Sequence, residues 1–267
     1  MTIIVFMVAG MSSRFGGNPK QMAIIGPKNE TLIEYSVNQA IKNNFNKIIF
    51  ITNSKTENLF VNIFGHLYKN IPVEYIRQKY DVTKRTRPWG TTDAVCSLIE
   101  TVKEPFILVN GDDIYGEETF KEGFNKMKVP NINIIGGLQL LKTLPDNGTV
   151  NRGIIFTSGK KVIGLKEMLN ISKEDNQELH TEFANVNFIG LQIAALNYLK
   201  KSLDKFKFIN IDDSKIESLL PDDLNNLIKK KLIKMEFFEI KNNILGITNP
   251  GDENIIKEKL ISNNNSH

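Results

Sequence analysis

Two short stretches carry the residues best suited to chemistry, and both point to phosphate. The first is the loop Gly10-Met11-Ser12-Ser13-Arg14-Phe15-Gly16-Gly17-Asn18-Pro19-Lys20-Gln21-Met22. Its glycines allow close backbone approach, Ser12 and Ser13 add hydroxyls, Arg14 brings a planar fork of donors and Lys20 a point cation. Amides and Arg14 suit the outer phosphates of a triphosphate, and Lys20 suits the phosphorus that reacts. No Gly-Lys-Ser/Thr follows the glycines, so the loop is not a Walker A motif, and its spacing is not the dinucleotide fingerprint. The glycines alone would serve equally in a structural turn; Arg14 and Pro19-Lys20 favour phosphate. The second stretch, Ile107-Leu108-Val109-Asn110-Gly111-Asp112-Asp113, runs from an apolar strand into two acids. Magnesium takes hard oxygens, commonly from one or two carboxylates plus substrate phosphates. The competing use of the two acids is a turn that caps the next helix.

Positioning these residues requires strands that end beside one another. Thr2–Ala9 is a continuous apolar run, as expected for a strand buried on both faces. Thr31-Leu32-Ile33-Glu34 forms a capping box opening a helix with Ile33, Val37, Ala40 and Ile41 on one face. Lys47–Thr52 reads as a strand, Glu57–Tyr68 as a helix, Val73–Gln78 as a strand, Thr92–Val102 as a helix and Pro105–Asn110 as a strand. This alternation predicts an α/β fold with a doubly wound, mostly parallel sheet, a Rossmann-like arrangement that binds ligands at the carboxyl ends of its strands. Beyond Asn131 strands dominate, at Ile132–Leu141, Val150–Thr157, Val162–Met168 and Val186–Ala194. Helices return at Tyr198–Lys205 and Asp212–Lys230, followed by strands at Met235–Ile240 and Ile244–Ile247 and a helix at Glu253–Ile261. The expectation is a single domain over 1–267, with a nucleotide-binding half (1–130), a β-rich acceptor-binding half (131–261) and a frayed tail (262–267).

The loop after the first strand resembles the L-A-A-G-x-G-[ST]-R…P-K-x-[LM] opening of the nucleotidyltransferases that make nucleotide sugars from sugar phosphates. Gly10, Ser13, Arg14, Pro19, Lys20 and Met22 match it, whereas Val8 and Ser12 depart from it. The resemblance implies nucleotide contacts at Ala9, Gly10, Ser12 and Ser13, with Arg14 and Lys20 as catalytic residues. Gly111-Asp112 matches the family's fourth strand, which implies Asp112 as nucleotide contact and magnesium ligand, with Asp113 in support. Leu245–Asp252 resembles the later metal-binding segment and implies Asn249 as second ligand, Asp252 instead capping the terminal helix. Gln78 and Trp89-Gly90-Thr91-Thr92-Asp93-Ala94 resemble the base-recognition elements, implying contacts from Gln78, Gly90 and Thr91. Gln78 could donate and accept together, and the Gly90 and Thr91 amides could read a pyrimidine edge. Trp89 reads as an anchor, and Arg85 and Arg87 as either solvated surface or a mobile lid on the triphosphate. In the second half Gly153, Glu167 and Asn187 fall where the family contacts its acceptor. The lysine usually found just after that glutamate is replaced by Met168-Leu169.

Composition narrows the field. The formal charge of +4, from 34 basic and 30 acidic residues, is too thin to imply a nucleic-acid or membrane partner. No apolar run approaches the roughly 18–20 residues of a membrane span, and Met1–Ala9 is too short and uncharged for a secretory signal. The single Cys96 excludes an internal disulfide, and three scattered histidines make a histidine metal centre improbable. The length predicts a catalytic domain without an appended repeat domain. A cytoplasmic enzyme is the resulting expectation, and the resemblance implies that it joins CTP, UTP or dTTP to a sugar 1-phosphate with Mg²⁺, giving an NDP-sugar and pyrophosphate. A homo-oligomer is compatible with it. A cytidylyltransferase acting on a phosphorylated amino acid or amino alcohol is the nearest alternative. A glycosyltransferase of related topology and a non-catalytic nucleotide sensor are the others.

Overall fold

The computed structural model describes residues 2–10, 19–145, 147–174, 177–179, 181–247 and 251–264. The chain opens with β1 (Ile3–Met7), α1 (Leu32–Lys42), β2 (Lys47–Thr52), α2 (Glu57–Phe64), β3 (Leu67–Tyr68) and β4 (Ile71–Arg77). Next come α3 (Thr91–Cys96), β5 (Phe106–Asn110), β6 (Asp113–Ile114), α4 (Glu117–Lys126) and β7 (Asn133–Gln139). The remainder holds β8 (Val150–Ser158), β9 (Lys161–Ile171), β10 (Phe183–Leu191), α5 (Ile193–Ile209), α6 (Leu220–Lys229), β11 (Met235–Glu239), β12 (Leu245–Gly246) and α7 (Asp252–Asn264). This is the expected α/β fold, with its second half rich in strands. No described helix is long and apolar enough to cross a membrane.

Three helices are shorter than the sequence predicts, each for a local reason, and α4 is not among the elements it predicts. The helix expected over 57–68 stops at Phe64, because Gly65 turns to φ 56° and Leu67–Tyr68 then pairs antiparallel with Ile71–Pro72. The helix expected over 92–102 keeps α geometry only to Cys96; the Ser97 hydroxyl bonds back to the Ala94 carbonyl at 2.6 Å, competing with the helical ladder. The helix expected from Asp212 begins at Leu220. Asp213 instead accepts the amides of Lys215 (2.8 Å) and Ile216 (3.0 Å) in a side-chain turn, and Pro221 occupies the opening of the helix.

The residues form two compact units. The first comprises Met1–Arg77, Val109–Phe124 and Asn242–His267. Its strand order is β3-β4-β2-β1, with β1, β2 and β4 parallel. Both faces of β1 and β2 are buried, as their unbroken apolar runs require. Phe50 lies among the rings of Phe6, Phe60, Phe64 and Tyr75, at centroid distances from 4.9 to 5.7 Å. A second cluster joins Ile25, Leu32, Ile114, Ile247, Ile256 and Leu260. It ties the segment after Lys20, the start of α1, the strand following Asp112, the end of β12 and α7 into one frame. Each such side chain contributes about 1.5–3 kcal/mol on burial, so packing rather than polar bonding fixes this frame. The Thr31–Glu34 capping box forms as read, with the Glu34 amide on Thr31 Oγ1 at 3.3 Å and the Thr31 amide on Glu34 Oε2 at 2.9 Å.

The second unit comprises Gln78–Leu108 and Asn125–Lys241. Its strand order is β5-β10-β7-β11-β9-β8. β10 runs antiparallel to β5, β7 and β8, whereas β11 is parallel to β7. Leu140, Leu144, Ile154, Ile171, Leu179 and Ala184 pack beneath the β8–β9 hairpin. In β10 a bulge between Asn185 and Phe188 shifts the pairing with β7, and Asn187 there adopts φ 58°.

Candidate active site

In the first unit, Lys20 opens a three-residue 3-10 turn after Pro19. Its ammonium pairs with Asp112 Oδ2 and donates to the Ile247 carbonyl at 3.0 Å. Both side chains of the pair are about a quarter exposed, Lys20 24% and Asp112 23%. Asp112 follows Gly111 at the end of β5, and a side chain at 111 has no room. A Cβ there would lie 2.3 Å from Val8 Cγ1 and 3.1 Å from the Met7 carbonyl. Val8, one of the two departures from the family pattern, is thus a buried residue packed against Gly111.

Asp113 does different work. Its carboxylate accepts from Asn110 Nδ2 at 2.9 Å and from the Tyr115 hydroxyl, and its carbonyl accepts from Ser36 Oγ at 2.9 Å. Gly246 faces it, and a Cβ there would stand 2.2 Å from Asp113 Oδ1. Desolvation and the adjacent Asp112 carboxylate push Asp113 up to about 6. Burial, with Asp113 beside it, also holds the Tyr115 hydroxyl well above its ordinary value. Asp113 is therefore bound into the protein, and Asp112 is the carboxylate left at the surface of this cluster. Ala9 lends its carbonyl to Asn53 Nδ2 at 2.8 Å, and Gly10 borders open space.

In the second unit, Gln78 donates to the Gly90 carbonyl at 3.0 Å and to Asp93 Oδ2 at 2.8 Å. Asp93, buried, also pairs with Lys207 from α5. Gly90 has φ 98°, and a Cβ would sit 2.4 Å from the Ser218 carbonyl, so only glycine fits. The Thr91 hydroxyl accepts the Leu220 amide at 2.9 Å and caps α6. Thr92 donates its amide to the Ser218 carbonyl at 3.1 Å and its hydroxyl to Asp223 at 2.6 Å. The backbone amides of Gly90 and Thr91 bond to none of the described residues. The expectation for Gln78 therefore narrows: its donors are used, and the carbonyl oxygen alone remains.

The arginine loop is corrected more sharply. Arg85 is neither solvated surface nor part of a lid. It is 4% exposed, lies 3.4 Å from the centroid of the Trp89 ring, and donates to the carbonyls of Arg87 (3.2 Å), Asp213 (2.6 Å) and Ile216 (2.6 Å). It staples the 79–90 loop to the 213–218 loop, and Trp89 is the anchor expected. Arg87 is exposed and meets Glu217 at 3.4 Å.

The expected acceptor residues meet across β8, β9 and β10. Gly153 is opposite Glu167, and a Cβ on it would lie 3.3 Å from Glu167 Oε2 and 3.4 Å from the Asn185 side chain. Asn185 Oδ1 takes the Asn187 amide at 2.9 Å, and Asn185 Nδ2 donates to Asn187 Oδ1 at 3.3 Å. Desolvation, then the Asp222 carboxylate, raises the Glu167 carboxyl. Arg152 donates to the carbonyls of Asn151 (3.0 Å) and Thr143 (3.1 Å), and its charge partly offsets the rise at Glu167.

Ser12, Ser13, Arg14 and Asn249 lie outside the described residues. Asp252 is the first residue of α7 rather than its cap, and the Gly251 amide is taken by Glu253 at 2.9 Å. Sequence reasoning missed three participants. Asn185 meets Asn187 within the β10 bulge, where the strand's alternation is broken, so its part gave no signal in the sequence. Asp93 stood inside the noticed Gly90–Ala94 run without a role. Lys207, 114 positions from Asp93, gave no signal.

Residues 14–167 match the nucleotidyl transferase family. No curated protein sequence matches the chain. Among solved structures, a UDP-glucose pyrophosphorylase complexed with UDP-glucose is 16% identical, with a TM-score of 0.70 over 98% of this chain and 99% of that one. The inositol-1-phosphate CTP transferase from T. maritima is 13% identical, with a TM-score of 0.68 over 97% and 94%. A UTP-bound UGPase from Acinetobacter baumannii is 16% identical, with a TM-score of 0.67 over 100% and 94%. At these identities the likeness is one of fold.

Proposed function

The chain belongs to the nucleotidyl transferase family, and on that premise we propose that it joins the nucleotidyl group of an NTP to a phosphate monoester, releasing pyrophosphate. The acceptor we favour is a sugar 1-phosphate, which would yield an NDP-sugar. The observation that carries this reading is the Lys20–Asp112 pair at the end of β5, a cation and a hard-oxygen ligand held side by side in the first unit.

The reaction needs no enzyme nucleophile. The acceptor phosphate is already an anion near neutral pH, so positioning and charge neutralisation suffice. This matches a site without a histidine or cysteine; Cys96 is buried, and its thiol is pushed up to about 12 by that burial. Lys20 would neutralise charge that develops at the reacting phosphorus, and Arg14 would hold the departing pyrophosphate. Ala9, Gly10, Ser12 and Ser13 would line the nucleotide, and Gln78 with the Gly90 and Thr91 amides would meet its base. Gly153, Glu167 and Asn187, with Asn185 added, would hold the acceptor.

The donor set at Asp112 fits magnesium. Its carboxylate supplies hard oxygen, is reached by solvent, and already pairs with a cation in Lys20, while Asp113 is withdrawn behind Asn110 and Tyr115. Among the described residues no group of three or more His, Cys, Asp or Glu could hold a metal, so substrate phosphate and water would complete the coordination. Bound there with Asn249 as a further ligand, the ion would supply charge neutralisation at the nucleotide phosphates.

A second reading keeps the chemistry and replaces the sugar by a non-sugar phosphate, with CTP as donor. It is favoured by the Glu167 cluster, where Met168-Leu169 replaces the family lysine. Pyrophosphate release, measured with each NTP, Mg²⁺ and a panel of sugar and non-sugar phosphate monoesters, tests both. Release that depends on an acceptor supports the reading, and the acceptor identifies which version holds. Consumption of a nucleotide sugar without pyrophosphate would overturn it.

A further inference from the structure

Gln78 is held in one orientation by groups that can only accept. One amide hydrogen meets the Gly90 carbonyl at 3.0 Å, the other Asp93 Oδ2 at 2.8 Å. A carbonyl and an ionised carboxylate leave no choice of which end of the amide faces them: Nε2 points inward and Oε1 outward. The acceptors are themselves fixed. The Gly90 carbonyl also accepts the Ala94 amide at 3.2 Å, and the Trp89 carbonyl before it accepts the Ser218 amide at 2.8 Å. The second oxygen of Asp93, Oδ1, pairs with Lys207, and Lys207 lies 5.7 Å from the Trp89 ring that Arg85 covers on the same loop.

We propose that Asp93 and Lys207 are positioning residues that lock Gln78 as a hydrogen-bond acceptor, and so set which nucleobase the enzyme selects. The inference rests on the reading of Gln78, Gly90 and Thr91 as base contacts. With Gln78 locked, that surface offers one acceptor, Oε1, and two donors, the amides of Gly90 and Thr91. Its complement is a base edge with one N–H donor and two acceptors, which uracil, thymine and cytosine present and guanine, with two adjacent donors, does not. Lys207 is what makes the lock directional. With asparagine at 93, the ammonium would attract the amide oxygen and turn the amide nitrogen toward Gln78. Gln78 would then be drawn to turn its oxygen toward position 93 against the hold of the Gly90 carbonyl on its nitrogen, and the lock on Oε1 would loosen.

The test is calorimetric titration of the full chain with UTP, dTTP, CTP, ATP and GTP in Mg²⁺, without acceptor, with a thermal melt of each variant to register folding. In the wild type a pyrimidine triphosphate binds best. Asp93→Asn should cut its advantage over the purine triphosphates by about tenfold, the scale of one buried hydrogen bond turned against itself. The double variant Asp93→Asn with Lys207→Met should recover much of that advantage, because nothing then orients the new amide. A purely structural pair predicts the reverse, the double variant being worse than the single. Gln78→Leu should lose the advantage outright. Unchanged discrimination in Asp93→Asn, with loss in Gln78→Leu, would overturn the lock and leave the base contact standing. Unchanged affinities in Gln78→Leu would overturn the base contact, and the lock with it.

Discussion

Two of the molecule's Lys–Asp ion pairs stand in different settings. Lys20–Asp112 joins a short turn to a strand end, each side chain about a quarter exposed, with the lysine's other bond going to a backbone carbonyl. Lys207–Asp93 joins two helices, with the Asp93 side chain only 8% exposed and its second oxygen bonded to Gln78. A partly solvated pair gains little net energy, about 0–1 kcal/mol, because water competes for both partners. A ligand carrying its own charges can therefore part it cheaply, as a phosphate-binding centre requires. Opening the second pair strands the buried Asp93 carboxylate, although Lys207 itself is 31% exposed. On the proposed reading, reactivity and architecture differ here by the exposure of the carboxylate and by what holds its second oxygen, not by residue type.

The sharpest way to break the comparison is at Lys20. Lys20→Met should lower turnover by about 10²–10³, the range for removing a group that meets developing charge. Stability should change by less than about 1 kcal/mol. Pyrophosphate release and urea unfolding read the two effects separately, and a large loss of stability with activity retained would make this pair architectural too. Next in size is Gly90→Ala. It combines a left-handed backbone, costing about 1–3 kcal/mol, with overlap on the Ser218 carbonyl, costing about 1–3 kcal/mol more. The urea midpoint should fall accordingly, showing that the surroundings of Asp93 do not yield.

How much of this was legible depends on the range of the interaction. The buried strands could be read because continuous apolar runs such as Ile48–Ile51 have no solvated face to offer. The Thr31–Glu34 box could be read because its partners lie within one helical turn. Asp112 could be read because strand ends in an α/β sheet converge. Arg85 could not: its carbonyl partners, Asp213 and Ile216, are 128 and 131 positions away, and a lysine- and arginine-rich loop looks like solvated surface in any local window. Lys207 was hidden for the same reason. Gln78 was read correctly as a polar group at a strand end, but its polarity was set by Asp93 and Gly90, which only the folded chain brings to it.

A smaller effect is expected at Lys207. Lys207→Met leaves Asp93 buried with Gln78 as its remaining partner; full rupture of a buried pair costs about 3–5 kcal/mol. Lys207 keeps 31% of its side chain exposed, so water already shares the charge and a loss of about 1–3 kcal/mol follows. Turnover at saturating nucleotide should fall far less than in Lys20→Met. The reverse ranking would exchange the roles of the two pairs.

Arg87 marks the lower end of the scale. It meets Glu217 at 3.4 Å, with side chains 50% and 36% exposed, and belongs to the same loop as the buried Arg85. If solvent access decides what an ion pair does, Arg87→Ala should shift the urea midpoint by less than about 0.5 kcal/mol, because water replaces the lost partner on either side. Arg85→Ala should cost several times more, since it strands the carbonyls of Arg87, Asp213 and Ile216 and uncovers Trp89. Equal losses at the two arginines would mean that the loop, rather than the burial of each charge, governs its stability.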